Sequence, residues 1–599
     1  MIEPSQDRLD YSAILAPPAE GFELDIAVAT TYSLDLSALM AALLPLGFGG
    51  DPLSDCRDNP VFMLHALKKL LPKLYVFCDA SEIKYPDTKE HKLLHMLDQA
   101  VFPINHKDAF HPKFWLLKYV KEKEAHYRFV VLSKNISFDR SWDVAMYFDG
   151  TPQDTLGNGA PLADMLEYLK KTQWGKSRLL SRISALADEI KNVTFSNGDI
   201  KPESLYIVPL GINKEKEVWP FQAKCDRILV LSPFLSASSV ADLFKGADGR
   251  KMLFSRKEAL SSIPQGALEG IECYCIRDEI YNGEQSDKTV QTATSWQNQD
   301  IHAKVYMLQG GGAKQELYIG SSNLTENGLK GRNIELLVGM KIRYHNVFES
   351  MYKDLLHEGK DDAAFERYQP EAPIEDTESE KNQKELKVQF KKFLSEMRFE
   401  VKLIEKEEKR FNVCLTNKKC ISFKCAIEIV PIGGGSPRSF APEQNLPKSP
   451  ESISFERLPL ESLSNFYSIT MSLGDDKLKR IIFIDTIQKN ILEGRDEALE
   501  KTCLNNTGHF LEYLSYMLAD DAYSDALQYG SSARRNYGLI SNSTSMSGLY
   551  EKMLSCAAKE PSRLQKIRDI INRSEIADAD LGSLLQICNL FCKVTGDMK

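Results

Sequence analysis

One order of residues occurs twice in this chain at a nearly constant interval, and that duplication limits the possible folds more than any other feature. His111 and His302 are 191 positions apart, and Asn135 and Asn323 are 188 apart. Around the first pair the hydrophobic pattern predicts a buried strand at FELDIAVAT, a helix over Ser37–Leu46, and a strand at LYVFCD. A hairpin FHPKFWLLKYV/HYRFVVLSKN around the charged turn KEKEA and a strand at WDVAMYF follow. Around the second pair the same order returns. RILVLSPFL is a strand, SSVADLF a helix, KMLFS a strand, HAKVYML/QELYIGSSN a hairpin, and NIELLVGM closes the unit. Several elements in one register over such a distance read as an internal duplication. Helices between strands predict an α/β mixed sheet covered on both faces.

The 599 residues exceed one ordinary core. The expected division is a first repeat over 1–170, a second over 171–345, an acidic linker over 346–385, a small β-rich domain over 386–490 and a helical C-terminal domain over 491–599. A composition 43% hydrophobic and 27% charged suits a soluble globular protein. No apolar run approaches the roughly 20 residues needed to span a bilayer. MIEPSQDRLD has neither a basic nor an apolar signal region, so a cytoplasmic protein with no membrane partner is expected. The net charge of −9 gives the whole molecule no electrostatic case for non-specific DNA binding and leaves room for a local basic groove.

If both hairpins are strands, alternate side chains share a face. His111 and Lys113, and likewise His302 and Lys304, then face one way. The return strands end at Ser133-Lys134-Asn135 and Ser321-Ser322-Asn323. Two copies about a pseudo-two-fold axis would gather two imidazoles, two ammoniums and two carboxamides around one point. A phosphodiester suits such a cluster. One neutral imidazole attacks phosphorus, the other protonates the leaving oxygen, and the lysines and asparagines hold the non-bridging oxygens. Nothing in that scheme needs a metal ion or another cofactor.

These residues resemble the phospholipase D superfamily, whose repeated motif is HxK, usually with a later aspartate, then GSxN. The second copy is nearly complete: His302, Lys304, Gly320, Ser321 and Asn323, then Asn333-Ile334-Glu335. The first is eroded, with Lys134 inside its SxN triplet, and the motif's aspartate would fall near Lys118 and Gln309. The resemblance covers about residues 20–345. It implies a duplicated phospholipase D-like mixed sheet, with His111, Lys113, Asn135, His302, Lys304, Asn323 and Glu335 catalytic. Ser133, Lys134, Ser321 and Ser322 would bind substrate. It further implies His111 as nucleophile, His302 as acid, and Glu335 as the acid that orients an imidazole. Asp143 lies nearby in the first copy, at a shorter spacing from Asn135.

The missing aspartate resembles tyrosyl-DNA phosphodiesterase-type enzymes, and HAKVY…IGSSNLTENGL…NxE resembles bacterial phospholipase D-like nucleases of restriction and phage-defence systems. Those likenesses imply a nucleic-acid substrate, DNA ahead of RNA, and a helicase or other defence-system protein as partner. The competing readings are a non-catalytic nucleic-acid or protein-binding component and, third, a phospholipid hydrolase.

The remaining features read as structural. Cys273 and Cys275 are buried thiols of one strand face. The glycine triplets at 310–312 and 433–435 lack the lysine of a phosphate loop and are turns. His91, His95 and His106 are surface or core histidines, Arg534-Arg535 lies in a solvated loop, and 387–402 is a solvated helix or strand face.

Overall fold

The structure is a computed structural model, describing residues 11–48, 59–85, 92–138, 141–173, 177–198, 201–213, 219–221, 224–277, 301–310, 315–342, 347–356, 365–370, 377–417, 419, 421–440, 451–504, 506–518, 549, 552–557, 561–573 and 579–596. Arg534-Arg535 and His91 lie outside them.

The first strands are β1 (Glu23–Thr31), the two-residue β2 (Leu34–Asp35), β3 (Leu74–Asp79), the two-residue β4 (Ile83–Lys84), β5 (Val101–Ile104), β6 (Phe114–Lys121), β7 (Glu124–Leu132), β8 (Ala145–Pro152) and β9 (Val193–Ser196). All but β2 and β4 form a 7-stranded sheet ordered β5-β3-β1-β6-β7-β8-β9. Next come β10 (Leu205–Leu210), β11 (Arg227–Leu231), β12 (Lys251–Ser255), β13 (Glu272–Ile276), β14 (Val305–Gln309), β15 (Gln315–Gly320), β16 (Glu335–Ile342) and β17 (Phe365–Arg367). They form an 8-stranded sheet ordered β10-β16-β15-β14-β11-β12-β13-β17.

Counted from β13, the second order repeats the first strand for strand, with β17 added at the edge. Parallel pairs β1–β3 and β3–β5 correspond to β11–β12 and β12–β13, and antiparallel β1–β6 corresponds to β11–β14. The duplication read from the sequence is a duplication of topology.

These strands are buried on both faces, and alternate residues join different cores, the period of two that makes a two-faced sheet. In β1, Ala27 and Ala29 face one core, while Ile26 and Val28 face another; Val76 and Phe77 of β3 divide the same way. The second core lies between the two sheets, joining Phe114, Leu116 and Phe129 to Leu229, Phe254, Val305 and Met307, with the helices Ala160–Lys171 and Ser177–Ile190. The outer face of the second sheet packs Ile228, Val230, Tyr306 and Leu337 against the helix Ala237–Phe244. Cys273 and Cys275 both face this outer core, and burial pushes the Cys273 thiol up to about 11.

Several expected boundaries differ from the strand pairing. β9 pairs with β8, so the first sheet runs to Ser196 and the seam between repeats lies between Ser196 and Leu205, not at 170/171. The stretch read as linker over 346–385 includes the helix Val347–Leu356, the edge strand β17 and the start of the helix Glu378–Glu396. Its polar, acidic composition concealed them, because an edge strand and a surface helix need few apolar residues. The helix at 378–396 opens on a capping box, Thr377 with Glu380, and buries Leu386, Phe390 and Phe393; only its opposite face is solvated.

The remaining strands are β18 (Phe399–Lys406), β19 (Arg410–Asn417), β20 (Ala426–Pro431), β21 (Arg438–Phe440), β22 (Glu451–Pro459), β23 (Phe466–Leu473) and β24 (Asp476–Phe483). β18, β19 and β22 form a 3-stranded sheet. The 6-stranded sheet, β2-β4-β24-β23-β20-β21, takes its first two strands from the first repeat. The C-terminal helices Thr507–Leu518, Pro561–Arg573 and Ala579–Gly596 share a core with Leu36–Phe48 and Pro60–Leu70 of that repeat. The C-terminal third is therefore packed onto the first repeat. Among the described residues, no helix is long and apolar enough to cross a membrane.

Candidate active site

Both HxK triplets lie in extended chain just ahead of a strand, with β6 beginning at Phe114 and β14 at Val305, rather than inside the strands. Their backbone partners come from the opposite repeat. Phe110 bridges Ile334, with His111 N donating to the Ile334 carbonyl and Ile334 N donating to the Ala109 carbonyl. Ile301 bridges Trp142, with His302 N donating to the Trp142 carbonyl at 2.9 Å. Each histidine is thus anchored by the residue that precedes the other repeat's acid, Glu335 or Asp143.

That cross-anchoring produces the main contact. His111 Nδ1 donates to Glu335 Oε2 at 2.8 Å, and Glu335 is fully buried. The same carboxylate oxygen accepts from the Ser321 hydroxyl, and Oε1 accepts from Asn333 Nδ2 at 3.1 Å. Ser321 Oγ in turn accepts from Leu336 N at 3.0 Å. With Nδ1 committed to a carboxylate, the proton-free nitrogen of a neutral His111 is Nε2. Lys113 Nζ donates to Nε2 at 3.0 Å and to the His111 carbonyl at 3.1 Å.

The second triplet is held differently. His302 Nδ1 lies 3.0 Å from Ser141 Oγ, and Lys304 Nζ donates to the His302 carbonyl. Lys113 and Lys304 are 1% and 3% exposed, which makes them a floor under the site and not the open basic groove expected from sequence. Burial holds Lys113 well below the usual ammonium range, and Lys304 pushes the same way. Burial also lowers His111, with Lys113 and Lys304 adding to the effect and Glu335 opposing it. His111, Lys113, Lys304 and Glu335 therefore form one electrostatic cluster across the two repeats.

The asparagines stand three residues beyond the ends of the return strands β7 and β15. Asn135 Oδ1 accepts from Ser33 N at 3.2 Å, which leaves the amide nitrogen to donate elsewhere. Asn323 is 8% exposed, and Ser322 is fully buried beside it. Ser133 Oγ donates to Asp143 Oδ1 at 3.3 Å and accepts from Val144 N at 2.8 Å, the same pattern as Ser321 with Glu335 and Leu336. Lys134, expected to bind substrate at the mouth, is one-third exposed with its ammonium 3.8 Å from Asp143. Gly320 meets a close approach: its φ is +152°, and a Cβ there would lie 2.2 Å from the Leu336 carbonyl oxygen. The first copy has Leu132 at this register.

Strand register resolves the question of Asp143. Leu132 pairs with Ala145 and Gly320 with Leu337, so Asp143 and Glu335 each stand two residues before the partner. They are equivalent. The longer spacing to Glu335 is taken up by the short helix Glu326–Leu329. The motif's absent aspartate, by contrast, falls well along the strands: Lys118 of β6 pairs with Glu189 at 2.8 Å, five residues from Lys113 and away from the cluster. His95 is buried and held at about 4 by burial, with Arg495 adding to the effect, and it belongs to the core.

Three contacts were not foreseen from sequence. The Tyr32 ring packs at a tilt against His111, with centroids 5.0 Å apart, and Lys113 Nζ lies 5.8 Å from the Tyr32 ring. Ser141 and Asn333 each stand two residues before an acid and touch the imidazole or the acid itself. Their shared register is a signal, but it becomes visible only once β8 and β16 are aligned as equivalents. Among the described residues, no group of three or more His, Cys, Asp or Glu side chains is placed to hold a metal ion.

Comparison with known proteins agrees with the second copy. Residues 273–361 match the family described as NgoFVII restriction endonuclease N-terminal PLD domain, PLD denoting phospholipase D. No curated protein matches the chain. Among solved structures, a yeast tyrosyl-DNA phosphodiesterase mutant is similar, with 11% identity, a TM-score of 0.35, and coverage of 56% of this chain and 86% of that one. The resemblance to the phospholipase D superfamily read from the motifs is supported by the family match over β13–β16.

Proposed function

We propose that this chain is a phosphodiesterase that cleaves nucleic acid, DNA ahead of RNA, through a phosphohistidine. One observation carries the reading: Glu335 of the second repeat fixes the tautomer of His111 in the first. A histidine whose pKa burial lowers, with Nε2 in contact with Lys113 and available once that ammonium turns to substrate, is a nucleophile for phosphorus. His111 Nε2 would attack, forming an N–P bond as the P–O bond to the leaving nucleoside breaks. His302 would give the departing oxygen its proton. Neutral His302 would then take a proton from water, whose oxygen would attack phosphorus and release His111. Lys113, Lys304, Asn135 and Asn323 would hold the non-bridging oxygens throughout. The lysines supply the positive charge, so chelators should leave turnover intact.

The name of the matching family, a restriction endonuclease, supports nucleic acid over lipid. A role in defence against foreign DNA, with a helicase or other defence-system protein as partner, is part of the same proposal. Purified protein should cleave labelled oligonucleotides in EDTA and release no headgroup from phospholipid vesicles. Turnover of lipid alone would sink the reading. Oligonucleotide binding should weaken with salt, with a slope of about −0.9 for each duplex phosphate neutralised. Salt-sensitive binding without any cleavage would favour the non-catalytic reading, which the loss of Gly320's counterpart at Leu132 keeps in view.

The pH profile tests the Glu335 contact. The rising limb of kcat/KM, reporting neutral His111, should lie below the ordinary imidazole range. Because Glu335 raises the pKa of His111, Glu335→Gln should move the limb lower still. It should also slow turnover roughly ten- to a hundredfold, the range in which partners that orient an imidazole act. A limb that shifts upward would refute this contact.

A further inference from the structure

Among the described residues, the only large hydrophobic side chains both exposed and aromatic are Phe138, 56% exposed, and Phe234, 49% exposed. Both stand on the loops that carry the candidate phosphate site. Phe138 follows Asn135 by three residues, in a turn where Ser137 N donates to the Asn135 carbonyl. Phe234 belongs to the loop after β11. There Ser232 Oγ donates to the Phe234 carbonyl at 2.9 Å and accepts from Leu324 N, the residue after Asn323, at 2.9 Å. Arg256 lies over the Phe234 ring at 4.5 Å and also donates to the Ile301 carbonyl, beside His302. The remaining exposed large hydrophobics are aliphatic, such as Leu156 and Ile404, and are scattered as on any protein surface.

Leaving a phenylalanine in water forfeits the stabilisation that burying it would contribute. Two of them tethered to the site asparagines of opposite repeats call for an occupant with flat apolar faces and a phosphate between. We infer that Phe138 and Phe234 stack nucleobases on either side of the bound phosphate, and that the substrate is therefore single-stranded nucleic acid. The proposal rests on the nucleic-acid reading above and goes beyond it by naming the strand state. A base inside a duplex has both faces covered by its neighbours, whereas an unpaired base has a face to offer a ring. The Arg256 guanidinium beside Phe234 adds a positive charge that suits the adjoining backbone.

The test uses the full chain and a fluorescent oligonucleotide of mixed sequence, single-stranded or annealed to its complement. Phe138→Ala and Phe234→Ala should each weaken single-strand binding about tenfold, within the range for loss of one stacked base. Binding of the duplex should change by less than about twofold. Phe234→Trp should keep or strengthen single-strand binding, which separates stacking from any effect on folding. With 2-aminopurine in the strand, the quench on binding should diminish in each alanine variant. Wild-type binding to single strands with no loss in either variant, or equal loss on both substrates, would overturn the stacking and leave the nucleic-acid reading standing. No wild-type binding to either oligonucleotide would overturn both.

Discussion

His111→Ala should lower oligonucleotide cleavage by a factor on the order of 10³ or more, because it removes the attacking atom itself. The backbone bond from His111 N to the Ile334 carbonyl does not depend on the ring, and circular dichroism should show the fold retained. His302→Ala should be comparably damaging to turnover but should differ in one respect. It leaves the nucleophile and its Glu335 partner in place, so phosphorus label from a substrate with a good leaving group should remain on the protein. His111→Ala should trap none. Label retained by His111→Ala and absent from His302→Ala would reverse the two roles. Full activity in His111→Ala would remove the covalent mechanism altogether.

Asp98→Ala should destabilise the protein by about 3 kcal/mol, the lower end of the cost of breaking a buried pair, because Arg495 keeps Asp496 as a second partner at 3.1 Å. Arg495 is fully buried on the helix Lys489–Cys503 and makes a two-pronged pair with Asp98 of the first repeat, at 2.7 and 3.0 Å. Asp98 Oδ2 also accepts from Asn465 N at 3.0 Å, so the substitution would remove three hydrogen bonds. Urea unfolding should show the change as a lower midpoint, with the C-terminal helices becoming protease-sensitive. Replacing both partners by apolar residues, Asp98→Leu with Arg495→Met, should recover much of the loss. A change under about 1 kcal/mol in Asp98→Ala would mean that the C-terminal third is not held to the first repeat by this pair.

Much of the candidate site was legible because its chemistry is local. A histidine and a lysine two apart, and a serine and an asparagine two apart, keep their spacing whatever surrounds them. The motif residues of both copies could therefore be named from sequence. The acidic pair was harder. Eight residues separate Asn135 from Asp143 and twelve separate Asn323 from Glu335, so counting along the chain hid an equivalence that strand register makes plain. Tyr32 and Ser141 reach the site from loops outside the repeated HxK and SxN triplets.

The sequence by itself determined the duplication, the alternating strands of both sheets and the identity of the motif residues at the candidate site. All of these depend on hydrophobic period or on residues close in the chain. Only the tertiary structure decided that each histidine is anchored by the opposite repeat, that Glu335 serves His111, and that β2 and β4 extend a C-terminal sheet. Those are pairings between segments from about fifty to about four hundred residues apart. A backbone N–H and carbonyl are present at nearly every position, so composition cannot say which distant pair will meet. Packing of the two sheets around one shared core makes that choice.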